Sequence, residues 1–78
     1  MPRYFFDIVS DGDVAFDVEG LLLPNVEAAR RVASHSLAEL ARDELRFTQS
    51  LSQLVISVRT VDGPVCEAAF HWTLKSLQ

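Results

Sequence analysis

The chain has 78 residues, with 11 acidic against 7 basic side chains and a formal net charge of −4. A domain of this length buries only about 60–65% of its unfolded surface, so support from disulfides, a metal or a partner subunit is expected. The only cysteine, Cys66, excludes an intrachain disulfide, His35 and His71 lack a zinc-binding spacing, and the acidic balance disfavours non-specific binding to nucleic acid or anionic lipid.

A β-hairpin is the first predicted element. The stretches from Arg3 to Val9 and from Val14 to Val18 alternate apolar with polar residues, and Ser10-Asp11-Gly12-Asp13 separates them. A three-residue loop of Ser10-Asp11-Gly12 would place the apolar residues of both strands on one face, with Gly12 in a left-handed conformation. The predicted pairs are Ile8 with Val14, Phe6 with Phe16, Tyr4 with Val18, and Arg3 with Glu19.

A helix is predicted next, from about Val26 to about Arg46. Asn25 can accept hydrogen bonds from the first free N–H groups, and Glu27 lies at the positive end of the helix dipole. One stripe of the helix is apolar or small, which favours close packing on a sheet. Its members are Val26, Ala29, Ala33, Ser36, Leu37 and Leu40.

A second hairpin is predicted after a polar connection from Phe47 to Gln53. Leu54 to Thr60 alternates again, Val61-Asp62-Gly63 forms the loop, and the last strand runs from Val65 to about Leu74. Pro64 at the start of that strand does little harm to the pairing. The predicted pairs are Val58 with Cys66, Ile56 with Ala68 and Leu54 with Phe70, and Trp72 shares their inward face.

These elements predict a single α+β domain over residues 1–78, in the order ββαββ. One mostly antiparallel four-stranded sheet carries the long helix on one face, and the order of strands between the hairpins stays open. The opposite face is partly apolar, and in a chain this small such a face favours a partner, most simply a second copy. The predicted interface comprises Phe5, Val9, Val55, Val65, Ala69 and His71.

Several strings of residues carry a resemblance. Met1-Pro2-Arg3-Tyr4-Phe5-Phe6, the two Asp-Gly turns, Glu19-Gly20, and Leu23-Pro24 before Glu27-Ala28-Ala29 resemble a family of short bacterial proteins of unknown function, frequent in rhizobia and their relatives. The likeness covers nearly the whole chain and implies the fold and a bacterial cytoplasmic origin. Members tend to carry Asp where this chain has Asn25, which keeps the helix cap and loses a charge. The family implies no reaction, ligand or catalytic residue.

Two groups of residues are candidate sites of chemistry. The acidic residues of the first hairpin could hold Mg²⁺ or Ca²⁺, but their spacing is poor for a calcium loop and favours turn formation and solvation. Cys66 and His71 have opposite parity on a strand, which favours a packed core thiol, whereas His71 and Glu67 could share a face as an acid–base pair. The acidic residues are Asp11, Asp13, Asp17 and Glu19.

Two other groups of residues are candidate binding surfaces. Helix arginines could contact phosphates, but neighbouring acids, Glu27 before Arg31 and Glu39 before Arg42, balance much of their charge. Aromatic residues could stack on bases, but their inward parity indicates a core. The arginines are Arg30, Arg31, Arg42 and Arg46, and the aromatic residues are Tyr4, Phe6, Phe16, Phe70 and Trp72.

The sequence favours a non-enzymatic association domain that forms a homodimer through the open sheet face or an exposed strand edge. The alternative is a nucleic-acid-linked regulator of the small antitoxin or repressor kind, although nucleic acid is disfavoured as a partner by charge. A small-molecule-binding or enzymatic role ranks third. No cofactor, metal or membrane span is predicted, and the lack of a signal-like apolar stretch near Met1, together with one free thiol, favours the cytoplasm.

Overall fold

One helix and five strands make up the fold among the residues that the computed structural model describes, 1–48 and 50–78. Gln49, in the connection expected to be polar, lies outside the described residues. The fold class is α+β, as predicted. In chain order the elements are β1 (Arg3–Ser10), β2 (Asp13–Ala15), β3 (Leu21–Leu22), α1 (Val26–Phe47), β4 (Gln53–Thr60) and β5 (Gly63–His71).

The sheet is antiparallel and has the order β2-β1-β4-β5, with β3 paired to the other half of the outer edge of β1. The prediction of four strands is therefore short by one, because the chain returns to β1 after β2 and pairs Leu21 and Leu22 with Tyr4 and Arg3. The two hairpins meet through β1 and β4, where Ile8 lies opposite Ile56.

The predicted register of the first hairpin is wrong by one residue. Val14 lies opposite Val9, and Ala15 lies opposite Ile8. Asp11 and Gly12 alone form the turn, with φ angles of 47° and 93°. Positive φ at both central residues is typical of the two-residue hairpin turn, and aspartate tolerates it. The shift places Val14 on the face away from the helix.

The first hairpin is also shorter than predicted. Its second strand ends at Ala15, so Phe16 and Val18 do not pair with Phe6 and Tyr4 and are 70% and 86% exposed. Arg3 does reach Glu19, but its guanidinium donates to the Glu19 backbone carbonyl at 2.8 Å. Residues 16–20 instead form a loop beside β1.

The second hairpin has the predicted pairs, Val58 with Cys66, Ile56 with Ala68 and Leu54 with Phe70. Its turn is one residue shorter than expected, because Thr60 lies opposite Gly63 and Arg59 opposite Pro64. Val65 forms a bulge between the pair Arg59–Pro64 and the pair Val58–Cys66. The pairs from Val58–Cys66 to Gln53–His71 therefore have the predicted register.

The helix begins one residue after its cap, as predicted, and ends at Phe47. The Asn25 side chain accepts a hydrogen bond from the Ala28 N–H at 2.9 Å. Ala29, Ala33 and Ala41 are buried against the sheet, where Ile56 and Val58 are also buried. Small helix residues allow this close approach. Along residues 1–48 and 50–78, no helix combines the length and apolar character needed to cross a membrane.

Candidate functional site

The face of the sheet away from α1 is the candidate site, and we call it the open face. Residues paired across β1, β4 and β5 project on the same side, so the register defines rows across this face. One row contains Phe5 and Arg59, and a second contains Asp7, Ser57 and Glu67. The open face is thus polar over one half.

An apolar row crosses the other half of the open face. It crosses the four strands β2, β1, β4 and β5. Val14 of β2 lies opposite Val9, Val9 lies opposite Val55, and Val55 lies opposite Ala69 of β5. Val9 and Val55 are half-buried, whereas Val14 and Ala69 are exposed. We call these four residues the valine row. It is an apolar strip whose two ends, Val14 and Ala69, are exposed.

A buried carboxylate organises the polar half. Asp7, only 7% exposed, accepts hydrogen bonds from Arg59 Nε at 2.8 Å and Nη2 at 3.3 Å, and from the backbone N–H of Asp17 at 2.9 Å. The Arg59 guanidinium lies 4.6 Å from the centre of the Phe5 ring. Hydrogen bonds from Arg59 lower the pKa of Asp7 below its ordinary value, although burial opposes them. Asp7 is therefore an ion-paired anion at neutral pH.

Asp17 completes the pairing of β1 where β2 and β3 leave a gap. Its carboxylate accepts the N–H of Phe6 at 3.0 Å, of Glu19 at 3.1 Å and of Gly20 at 3.0 Å. These backbone donors, with Gly20 and Phe6 first, lower the pKa of Asp17. Arg59 also donates to the Asp17 carbonyl at 3.1 Å, so the loop 16–20, Asp7 and Arg59 form one hydrogen-bonded unit.

The structure brings together five of the six residues of the predicted interface. Phe5, Val9, Val55, Ala69 and His71 all have the register of the open face. Phe5 lies under Arg59, and His71 lies opposite Gln53 next to the valine row.

Val65 is the exception to the predicted interface. It packs against the core cluster that contains Tyr4 and Val58, on the helix side of the sheet. Val65 is the extra residue of the bulge between the pairs Arg59–Pro64 and Val58–Cys66. Because of the bulge, Val65 and Cys66 project on the same side of the sheet instead of alternating.

Comparison with protein families matches residues 3–71 to a model described as Domain of unknown function (DUF6894). The chain belongs to this family. The match begins at the first residue of β1 and ends at the last residue of β5. No curated protein and no solved structure matches.

Two acidic residues of the first hairpin, Asp11 and Asp17, accept hydrogen bonds from the backbone in this DUF6894 domain. The Asp11 carboxylate accepts from the Ser52 hydroxyl at 2.7 Å and from the Gln53 N–H at 2.9 Å, which ties the β1–β2 turn to the start of β4. These donors, the Ser52 hydroxyl first, lower the pKa of Asp11. Asp11 and Asp17 thus lie apart, each with its own donors, whereas Asp13 and Glu19 are exposed.

Cys66 lies on the helix side of β5, as expected, but it is half-buried because a groove of about 240 Å³ opens between α1 and β5. Arg30, Ser34 and Ala68 also line this groove. His71 and Glu67 share the open face four residues apart, roughly 13 Å along a strand, so they cannot hydrogen-bond directly.

The helix arginines are exposed, and two of them lie near acids. Arg30 lies 3.7 Å from Glu27 and Arg42 lies 3.9 Å from Asp43. These partners differ from the predicted ones but have the same effect, which is to offset the positive charge of this helix surface. Among the aromatic residues, Tyr4 is buried in the core, Phe6 and Phe70 pack against it, and Phe16 is exposed, contrary to its predicted inward parity.

Proposed function

We propose that this chain is a non-enzymatic protein-association domain that forms a homodimer through its open face. The valine row carries the proposal. Val14, Val9, Val55 and Ala69 form an apolar strip across the whole width of the sheet, and Val14 and Ala69 at its two ends are exposed. Two such strips packed against each other would remove apolar surface from water at roughly 25 cal/mol per Å².

The dimensions of the chain support association. Its accessible surface is 5601 Å², whereas a monomer of 8.7 kDa typically exposes roughly 4,700 Å². Its radius of gyration is 13.9 Å, against roughly 11.5 Å for a compact domain of this length. The surface in excess is close to the area that a standard interface buries on each partner, about 800 Å², and the exposed residues 73–78 contribute to it.

The flanks of the valine row suit a symmetric contact. On one side, Asp7 and Arg59 neutralise each other within the chain, so a partner need not supply a counter-charge for either of them. On the other side lie Gln53 and His71, which are polar and exposed. An apolar centre with a polar rim is the usual composition of a protein interface.

The nucleic-acid alternative has less support. Its main sequence feature was the group of helix arginines, and Arg30 and Arg42 each lie within 4 Å of an acid. The net charge of −4 also opposes a polyanion. The bacterial origin and the cytoplasmic setting implied by the resemblance are part of the proposal, and the single free thiol supports the latter.

Sedimentation velocity at micromolar concentration tests the proposal. We expect the wild type to sediment as a dimer or a larger assembly, and Val55→Asp, which places a charge in the middle of the valine row, to halve its mass. His35→Asp is the control, because His35 is exposed on the helix and the substitution adds the same charge. Circular dichroism of both variants should retain the wild-type fold. A monomeric wild type, or a Val55→Asp variant with unchanged mass, would refute the proposal.

A further inference from the structure

A second surface, away from the open face, has a different shape. A cavity of about 400 Å³ opens on the helix side where the start of α1 meets the β4–β5 turn. Its apolar walls come from Tyr4, Val26, Val61 and Val65, and Asp62 lies at its rim. The cavity borders the end of the sheet at which β5 begins.

The other end of β5 leads into a segment that the fold leaves unpacked. Residues Thr73–Gln78 are exposed throughout, and Leu74 and Leu77 are 62% and 86% exposed. The molecule is 53 Å long, whereas 22 residues of helix span only about 33 Å, so chain extends well beyond the packed layers. This segment also lies outside residues 3–71, which match the family.

The strand between the cavity and the segment lies at the edge of the sheet. β5 pairs with β4 on one side only. Pro64 and the bulge hinder pairing at its first residues, whereas residues 66–71 contain neither and carry one acid, Glu67. An edge of this kind is where a sheet accepts a further strand.

We propose that two copies pair their β5 edges antiparallel, and that Leu74 of each copy enters the cavity of the other. A two-fold axis perpendicular to the sheet keeps both helices on one side of the joined sheet. Such an axis passes midway between one residue of β5 and the same residue of the second copy. With Ala68 or Ala69 at the axis, and with Val65 and Cys66 counted as one place because of the bulge, Leu74 lies opposite Val61 or Gly63 of the second copy, at the mouth of the cavity.

The side and the charge of the segment agree with this pairing. Phe70 projects on the helix side, where it packs against the core, and Leu74 has the same parity if the strand is continued, which is the side of the cavity. With Ala69 at the axis, Lys75 lies opposite Asp62 of the second copy, so this register brings opposite charges together. A second copy is the occupant that supplies an exposed apolar segment and an apolar cavity at matching ends of one edge. The contact is independent of the valine row.

Cross-linking tests the contact. In a Cys66→Ser background, the variant Asp62→Cys/Leu74→Cys treated with a short bismaleimide should form a covalent dimer at low micromolar concentration. Twelve residues of extended chain separate the two positions, roughly 40 Å, so the reagent cannot bridge them within one copy. The single variants Asp62→Cys and Leu74→Cys are the controls, because the pairing keeps identical positions far apart. Equal dimer formation by the single and double variants, or none, would overturn the proposal.

A mass measurement separates this contact from the homodimer of the open face. Leu74→Asp should weaken the edge contact at least tenfold, whereas Ser76→Asp in the same segment should leave it unchanged. Because Leu74 is exposed, neither substitution should alter the melting temperature of the monomer. Cross-linking of the double-cysteine variant should persist when Val55→Asp is added. If Val55→Asp abolishes it, the edge contact fails as an independent one, and the open-face proposal stands.

Discussion

At the scale of single residues, the Asp17 carboxylate accepts N–H groups from Phe6, Glu19 and Gly20. The Phe6 N–H lies in the gap between the part of β1 paired with β2 and the part paired with β3. The Asp17 carboxylate accepts the hydrogen bond that a neighbouring strand would otherwise accept, because residues 16–20 do not pair with β1. The same carboxylate holds this loop next to Asp7 and Arg59.

We therefore expect Asp17→Ala to destabilise the domain. Removing the acceptor leaves the Phe6 N–H and its neighbours without a partner in a partly buried site, at a cost of about 1–3 kcal/mol in the free energy of unfolding. Urea unfolding measures this cost. Asp13→Ala removes an exposed acid from the adjacent strand and should change stability by no more than about 0.5 kcal/mol. Equal effects of the two substitutions would contradict the role of Asp17.

The same carboxylates predict loss of stability in acid. The pKa values of Asp7, Asp11 and Asp17 are lowered in the folded state, so the unfolded state binds more protons as the pH falls. Their stabilisation is fully present above the ordinary aspartate pKa, about 4, and is lost as the pH falls from there through the lowered values. Urea midpoints measured from pH 7 to pH 2 should show this fall.

Asp7→Asn/Asp17→Asn should reduce the dependence of the urea midpoint on pH, because two of the three carboxylates that bind protons on unfolding are absent. An exposed pair, Glu39→Gln/Asp43→Asn, is the control and should leave the slope unchanged. A wild type whose stability is constant between pH 5 and pH 2 would be inconsistent with the hydrogen bonds described for these carboxylates.

At the scale of elements, the loop 16–20 returns to β1 through a tightly packed glycine. Gly20 has φ 73°, and a Cβ there would lie 2.8 Å from the Arg3 Cγ and 3.0 Å from the Tyr4 carbonyl oxygen. Gly12 also has positive φ, but a Cβ there meets nothing within 4 Å. A substitution at Gly12 therefore introduces backbone strain alone, whereas a substitution at Gly20 introduces backbone strain and a steric clash.

We expect Gly12→Ala to cost about 1 kcal/mol from strain alone, and Gly20→Ala to cost more, about 2–3 kcal/mol, because β3 must also move away from β1. Thermal and urea unfolding of both variants measure the difference. If Gly20→Ala is no worse than Gly12→Ala, the close approach of the two strands is not as described.

The two hairpins show how far the sequence predicts register. Both contain an Asp-Gly pair and both have two-residue turns, yet only the second has the register inferred from alternation. The bulge near Val65 adds one residue after the second turn, whereas the first hairpin has none. Alternation reveals which residues share a face only where strand pairing is regular, and the position of a bulge leaves little trace in the pattern of apolar residues.

The regularity of strand pairing also explains which residues of the candidate site were assigned to the correct face. Val9, Val55 and Ala69 lie in regular stretches, and their side was predicted correctly. Val14 and Val65 lie next to a turn and a bulge, and both were assigned to the wrong face. The contact between Asp7 and Arg59 could not be inferred, because it depends on β1 lying beside β4, and the sequence left that order open. The helix, with Asn25 as its cap, was predicted closely because its signals are local.

At the scale of the whole molecule, the two edges of the sheet differ. One edge is divided between β2, with three residues, and β3, with two, and it carries the acids Asp13, Asp17 and Glu19. Short strands and charged side chains are features by which natural sheets resist further pairing. The other edge is β5, with nine residues.

This difference bears on polymerisation. A sheet with two receptive edges can add copies without end and grow into a filament, as happens with heterologous contacts that do not close. Among the described strands, β5 is the long edge, and the proposed pairing with the same strand of a second copy would occupy both long edges at once. The short strands β2 and β3, with the acids of the loop between them, would then lie at the two outer ends, so an assembly through the β5 edge would terminate at two chains.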